Sequence, residues 1–235
     1  MPNDINKVVF FDTETVGLKP NYIISLSYRF YEKGKQPIIG EILCNPMYSI
    51  DPNASKVNGY TNENTANYKT FPEQWKDIEF FFRDSIWVGH NEHFDSSALS
   101  SEFIRWCLPC PHHYELDTLK MAKAMIKKNV EIENHKLITL CKHFGIVIDE
   151  DKFHGSAYDI EMTDKVFRAL KKLNVSKFDN KFDSLFDPVE FEGEYTNTEP
   201  PCKHCEDFED FHKDSLQEED IIRINNKNSE VDFDW

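Results

Sequence analysis

The sequence predicts an α/β fold built on a mixed sheet, and three observations lead there. A continuous apolar run, Val8-Val9-Phe10-Phe11, leads straight into Asp12-Thr13-Glu14 and reads as a buried strand. Two more strands, Ile23 to Tyr31 and Ile38 to Leu43, follow with a turn around Gly34 and suggest an antiparallel meander. Beyond them, strand and helix patterns alternate, which is how a layered α/β chain is written.

The later elements follow in order. Residues 45–70 are loop-rich, with Pro46, Pro52 and Gly59. Phe71 to Arg83 predicts a helix with Pro72 at its first turn. Ser85 to Gly89 is a short strand, and Phe94 to Trp106 a helix that stops before Pro109 and Pro111. Asp117 is placed to cap a helix reaching Lys128. His135 to Phe144 is a helix closed by Gly145, and Ala157 to Leu173 is the last helix of the body.

At 235 residues the chain suits one domain with an extension. The predicted boundary gives a body of residues 1–175 and an acidic, partly flexible C-terminal extension of 176–235. The net charge of −15 is unevenly spread. Residues 176–235 hold 6 Lys/Arg against 18 Asp/Glu, net −12, which leaves −3 for the body. The acidity therefore does not exclude a nucleic-acid partner for the body. No stretch is apolar for long enough to span a membrane, and the start lacks a signal-peptide pattern, so a cytoplasmic or nuclear setting with six reduced cysteines is expected.

Residues i and i+2 of a strand point to one side, so Asp12 and Glu14 share a face. Two carboxylates that close repel each other unless a cation lies between them, and a hard divalent ion is the usual solution. A second acidic element is Gly89-His90-Asn91-Glu92-His93-Phe94-Asp95, where a strand meets a helix. A third is His154-Gly155-Ser156-Ala157-Tyr158-Asp159, before and inside the last helix.

Together these resemble the three motifs of the histidine subtype of the DEDD superfamily of 3′–5′ exonucleases, above all its DnaQ-like, proofreading epsilon-subunit branch. The likeness covers residues 6–173 and departs from the family at Val16 and at Asn58-Gly59-Tyr60, neither a metal ligand. It implies a ribonuclease H-like, mixed five-stranded sheet flanked by helices. It also implies two Mg²⁺ or Mn²⁺ ions, with Asp12 bridging them, Glu14 and Asp159 completing the nucleophile-side site, and Asp95 holding the second ion. His154 would be the general base, the backbone around Thr13 and Leu18 would contact the terminal nucleotide, and Asn91 would position the strand. The chemistry suits these residue types, because carboxylates bind hard divalent cations and imidazole takes a proton at neutral pH.

Two readings outside the motifs remain. Lysines 120, 123, 127 and 128 on one predicted helix, and Lys165, Arg168, Lys171 and Lys172 on another, are either phosphate contacts or solvated faces. Cys107, Cys110, Cys202 and Cys205 form two C-x2-C pairs that suit a structural Zn²⁺, the other reading being unrelated free thiols. The expected function is a metal-dependent 3′–5′ exonuclease acting on single-stranded or mismatched 3′ ends of DNA in proofreading or repair. A DNA polymerase or another replication or repair protein is the expected partner. The rivals are an RNA 3′-end trimming enzyme of the same superfamily and an interaction module that tethers a partner through its acidic, aromatic tail.

Overall fold

The computed structural model describes residues 6–153, 155–177 and 189–190. All of them lie in the first of the two units into which the chain divides, residues 1–196 and 197–235. His154, Cys202, Cys205 and the aromatic residues of the acidic tail lie outside the described residues.

The strands are β1 (Lys7–Thr15), β2 (Ile23–Glu32), β3 (Ile38–Leu43), β4 (Ser85–Gly89), β5 (His113–Asp117) and the two-residue β6 (Val189–Glu190). They lie in the order β3-β2-β1-β4-β5-β6. The first three pair antiparallel, as the meander predicts, while β4 and β5 run parallel to β1. The expected mixed five-stranded sheet is thus present, with β6 added antiparallel to the free edge of β5. Helices α1 (Pro52–Asn58), α2 (Asn62–Thr65), α3 (Phe71–Phe82), α4 (Glu92–Arg105), α5 (Thr118–Met125), α6 (Leu137–His143) and α7 (Ser156–Lys177) complete the unit. Among the described residues no helix is long and apolar enough to cross a membrane.

β1 is central because it can be buried on both faces. Val9 and Phe11 join one core with Trp75, Trp87 and Phe103, under α3 and α4. Phe10 joins the other with Val88, Met162, Val166 and Leu170, under α5, α6 and α7. The strand alternation that separates these two cores also decides where its terminal carboxylates point. At the edge, β3 carries Gly40 opposite Tyr28, whose ring lies across it. A Cβ at Gly40 would stand 2.4 Å from the tyrosine oxygen, so glycine is needed for that close approach.

Four elements depart from the sequence expectation. Two short helices stand in the stretch read as loop. In α1 no residue is buried, so there is no apolar stripe to read. It is defined by its ends instead, with Asn53 N–H donating to Asp51 Oδ1 at 2.7 Å and Gly59, at φ 78°, closing it. Strand β5 mixes polar and apolar residues just after two prolines and was not separable from loop. Helix α5 stops at Met125, because the next residue, buried Ile126, turns extended and its carbonyl accepts from His135 Nε2 at 2.8 Å. Lys127 and Lys128 therefore lie beyond the helix, and only Lys120 and Lys123 stand on it.

Trp87 ties the sheet to α3. Its Nε1–H donates to Phe82 O at 2.8 Å, and its ring stacks on His113 and meets Phe11 and Phe82 edge-on. Trp87→Ala is expected to cost about 3–5 kcal/mol in chemical denaturation, the range for losing a large buried aromatic.

Candidate active site

The site is built where β1 ends. Asp12 and Glu14 lie on the Phe10 side of the sheet, towards α7, which brings Asp159 in its first turn. Asp95 comes from the first turn of α4, on the opposite face, and is joined through the residue between the two strand acids. Thr13 donates to Asp95 Oδ1 twice, from its N–H at 2.9 Å and from its hydroxyl at 2.7 Å. A bulge between Glu14 and Thr15 bends the strand here, a common device at functional strand ends.

The electrostatics show how near these groups are. Asp12 is held well above the usual carboxylate range by burial, then by Asp95, Asp159 and Glu14 in that order. Asp12 is therefore the centre of the cluster. Burial and then Asp159 push Glu14 up to about 8, partly offset by a hydrogen bond from Asn58. Burial also raises Asp95 to about 7, against the two bonds from Thr13. Closely spaced oxygen donors whose charge is opposed mainly by one another are the donor set that Mg²⁺ and Mn²⁺ take. Among the described residues no three His, Cys, Asp or Glu side chains already close on one point as a finished cage. The chemistry of this donor set fits a divalent cation.

The structure places the other expected residues as follows. Leu18 is exposed beyond β1, and Asn91, at φ 66°, is exposed at the start of α4, so both can be reached by a ligand. Thr13 is only 6% exposed, and its N–H and hydroxyl are both given to Asp95, so it braces that carboxylate. His90 is buried enough that its pKa falls to about 4. Its Nε2 donates to His135 O at 2.9 Å, so it is a neutral tether and not a base. Of the basic residues of α7, Lys165 pairs with Glu161, Arg168 pairs with Asp164, and Lys171 lies over the Phe167 ring.

Cys44, Cys110 and Cys141 are free thiols, whereas Cys107 is disulfide-bonded, contrary to the expectation of six reduced cysteines. Burial pushes the Cys110 thiol up to about 11. Two of the four residues of the expected zinc set, Cys202 and Cys205, lie outside the described residues.

Four supporting residues had no sequence signal strong enough to single them out. Asn58 donates to Thr15 O at 3.2 Å and bonds Glu14; it stands at the position where the chain departs from the family. Asp117, read only as a cap, accepts from both Leu119 N–H at 2.8 Å and Asn91 N–H at 3.1 Å, so it joins α5 to the turn that opens α4. Ser156 and Ser27 meet at 2.7 Å behind the carboxylates. Beside Glu14 lies an open cleft of about 280 Å³, lined also by Glu41, Asn58, Tyr60, Ser156 and Tyr158.

Carboxylates gathered at the carboxyl end of the central strand, between helices on both faces of a mixed sheet, define a ribonuclease H-like nuclease site. The chain belongs to the Exonuclease family, whose sequence model matches residues 9–167. It is 30% identical over 157 residues to a PolC-type DNA polymerase III of Oceanobacillus iheyensis, covering 66% of this chain and 11% of that protein. The Bacillus cereus PolC-type polymerase is 27% identical over 183 residues, 77% of this chain and 12% of that one. The chain thus spans about a ninth of the curated relatives it matches. Among solved structures, exonuclease X in complex with 5′-overhanging duplex DNA superimposes with a TM-score of 0.54 at 21% identity, covering 73% of this chain and 94% of that one. E. coli exonuclease I with a dT13 oligonucleotide gives 0.62 at 19% identity, covering 77% and 43%. These likenesses place the fold with the DnaQ-like exonucleases.

The raised carboxylates carry a pH signature. In the cation-free fold, Glu14 and Asp95 keep protons that an unfolded chain releases near pH ~4. The folded state therefore binds more protons from there up to about 7 to 8, and stability falls as pH rises through that window. A cation displaces those protons, so its stabilising effect runs the other way. The rise in melting temperature on adding Mg²⁺ or Mn²⁺ is expected to be small at about pH 5.5 and large at about pH 8. An equal rise at both would contradict this linkage.

Proposed function

We propose that this chain is a divalent-cation-dependent 3′–5′ exonuclease that removes nucleoside monophosphates from DNA ends in proofreading or repair. The observation that carries the reading is Asp12 at the end of β1, with Asp95, Asp159 and Glu14 as its charged neighbours. Asp12, Glu14, Asp95 and Asp159 would hold the ions, which supply an activated water and stabilise the charge that develops on the leaving oxygen. The protein's own part is positioning. Thr13 fixes Asp95, Asn58 steadies Glu14, and the first turn of α7 sets Asp159. His154 precedes α7 and would take the proton of the attacking water. DNA is favoured as substrate because exonuclease X and exonuclease I, of the same fold, are seen with DNA. A polymerase context is favoured because the curated relatives are PolC-type DNA polymerases III.

The test is purified protein with single-stranded DNA, matched and mismatched duplex DNA, and RNA, each labelled at one end, with Mg²⁺, Mn²⁺ or EDTA. Cleavage is expected to start at the 3′ end, to need a cation, and to favour single-stranded or mismatched DNA. Asp12→Asn, Glu14→Gln, Asp95→Asn and Asp159→Asn should each abolish nearly all of it. His154→Ala should leave cation binding intact and slow turnover by about 10²–10⁴-fold. Robust digestion in EDTA, or of a blocked 3′ end, would overturn the reading, and faster removal of ribonucleotides would move it to RNA trimming.

A further inference from the structure

Behind the carboxylates, on the face of the sheet covered by α7, lies a row of buried hydroxyls. Ser25 and Ser27 on β2 are 0% and 1% exposed, and Ser156, the first residue of α7, is 5% exposed. In the register of β1 and β2, Ser27 stands opposite Asp12 and Ser25 opposite Glu14. Directly opposed residues of an antiparallel pair point to the same face, so both serines flank the strand acids. Ser156 reaches Ser27 Oγ at 2.7 Å and Ser25 Oγ at 3.3 Å, and Ser25 donates to Glu41 Oε1 at 2.8 Å.

Each hydroxyl has one proton, and a carboxylate oxygen can only accept. The proton of Ser25 goes to Glu41, so Ser25 accepts from Ser156. The proton of Ser156 is then spent, so Ser156 accepts from Ser27. The contacts make a one-way chain, Ser27 to Ser156 to Ser25 to Glu41, with no proton used twice. Ser156 is the only member on α7, and it bonds to both serines of the strand. Asp159 lies one turn further along the same side of the helix.

We propose that Ser156 is a positioning residue for the cation site: its two hydroxyl bonds to β2 hold the first turn of α7 so that Asp159 stays beside Asp12 and Glu14. The inference rests on the cation site of the nuclease reading, not on its substrate, and adds a residue that positions one of the acids of that site. Asp159 is repelled by both strand acids, and the simplest relief in the absence of an ion is for the first turn of the helix to draw back. The serine lock opposes that retreat. Its loss should therefore weaken capture of the cation more than it slows chemistry once the cation is saturating.

The test compares Ser156→Ala, Ser156→Thr and Ser27→Ala with the parent chain. Binding of Mn²⁺ is counted by electron paramagnetic resonance of the free ion, which needs no substrate, and cleavage is titrated with Mg²⁺. Ser156→Ala is expected to weaken Mn²⁺ binding about three- to tenfold, the range for one or two buried hydrogen bonds, and to raise the half-maximal Mg²⁺ concentration to match. The rate at saturating Mg²⁺ should stay within about threefold of the parent, because the cation, once bound, holds Asp159 itself. Ser156→Thr, which keeps the hydroxyl, should restore binding. If Ser156→Ala does not fold, Ser27→Ala carries the same expectation with one bond lost. Unchanged Mn²⁺ affinity in a folded variant overturns the proposal, and so does a loss that threonine does not restore. A parent chain that binds Mn²⁺ but cuts no nucleic acid would sink the nuclease reading and leave this one standing.

Discussion

Repulsion among carboxylates at the end of one strand is the constraint on which the rest of this structure depends. Asp12 is surrounded by Asp95, Asp159 and Glu14, and each of them makes its ionised form harder to keep. Left alone, such a group would spread or take up protons. The fold must therefore hold the acids together without neutralising them, since a resident Lys or Arg would occupy the place a cation needs. Neutral donors are the means used here. Thr13 donates twice to Asp95, and Asn58 bonds Glu14. These contacts favour the charged form and cost nothing when a cation arrives.

The two faces of the sheet share this work. From one side, α4 delivers Asp95, and the turn before it is fixed by Asp117, which accepts from Asn91 and from the start of α5. His90 adds a tether through His135 O and a contact with Thr118 at 3.0 Å. From the other side comes α7. The acids of the cluster are thus delivered by two helices that do not share a core, since α4 packs with Trp87 and Phe11 while α7 packs with Phe10 and Val88. β1 is the element common to both, which is why its buried register matters more than any single ligand.

Much of this was legible in the sequence where the signal is local. The apolar run that ends in Asp12 and Glu14 fixes a central strand, the meander and its pairing follow from alternation, and Pro72, Asp117 and Gly145 mark helix ends where they were expected. The three acidic motifs in order pointed to the family. Elements without a periodic apolar face were missed: α1, which buries nothing, and β5, which is half polar. Contacts across long separations were also invisible. Nothing local in Thr13 says that it will brace an aspartate 82 residues away. The lysines read as one helical face were separated because a tertiary bond, His135 to the carbonyl of Ile126, ended the helix early.

β2 shows the same limit most clearly. Its sequence alternates Ser25, Ser27, Arg29 and Tyr31 with Ile24, Leu26, Tyr28 and Phe30, which reads as an edge of the core with one wet face. That polar face is instead covered by α7. Ser25 and Ser27 meet Ser156, while Tyr31 donates to Asp164 at 2.6 Å and Arg29 pairs with the same carboxylate at 3.4 Å. Small side chains stand at the end where the helix must approach the carboxylates, and large ones at the end where it can stand off. A polar track of graded size sets both the tilt and the sliding position of a helix more sharply than apolar packing would, because hydrogen bonds have fixed lengths and a slip leaves buried donors unmet. For a helix that must hold Asp159 beside acids that repel it, that directional hold is worth more than the extra hydrophobic area a leucine face would have supplied.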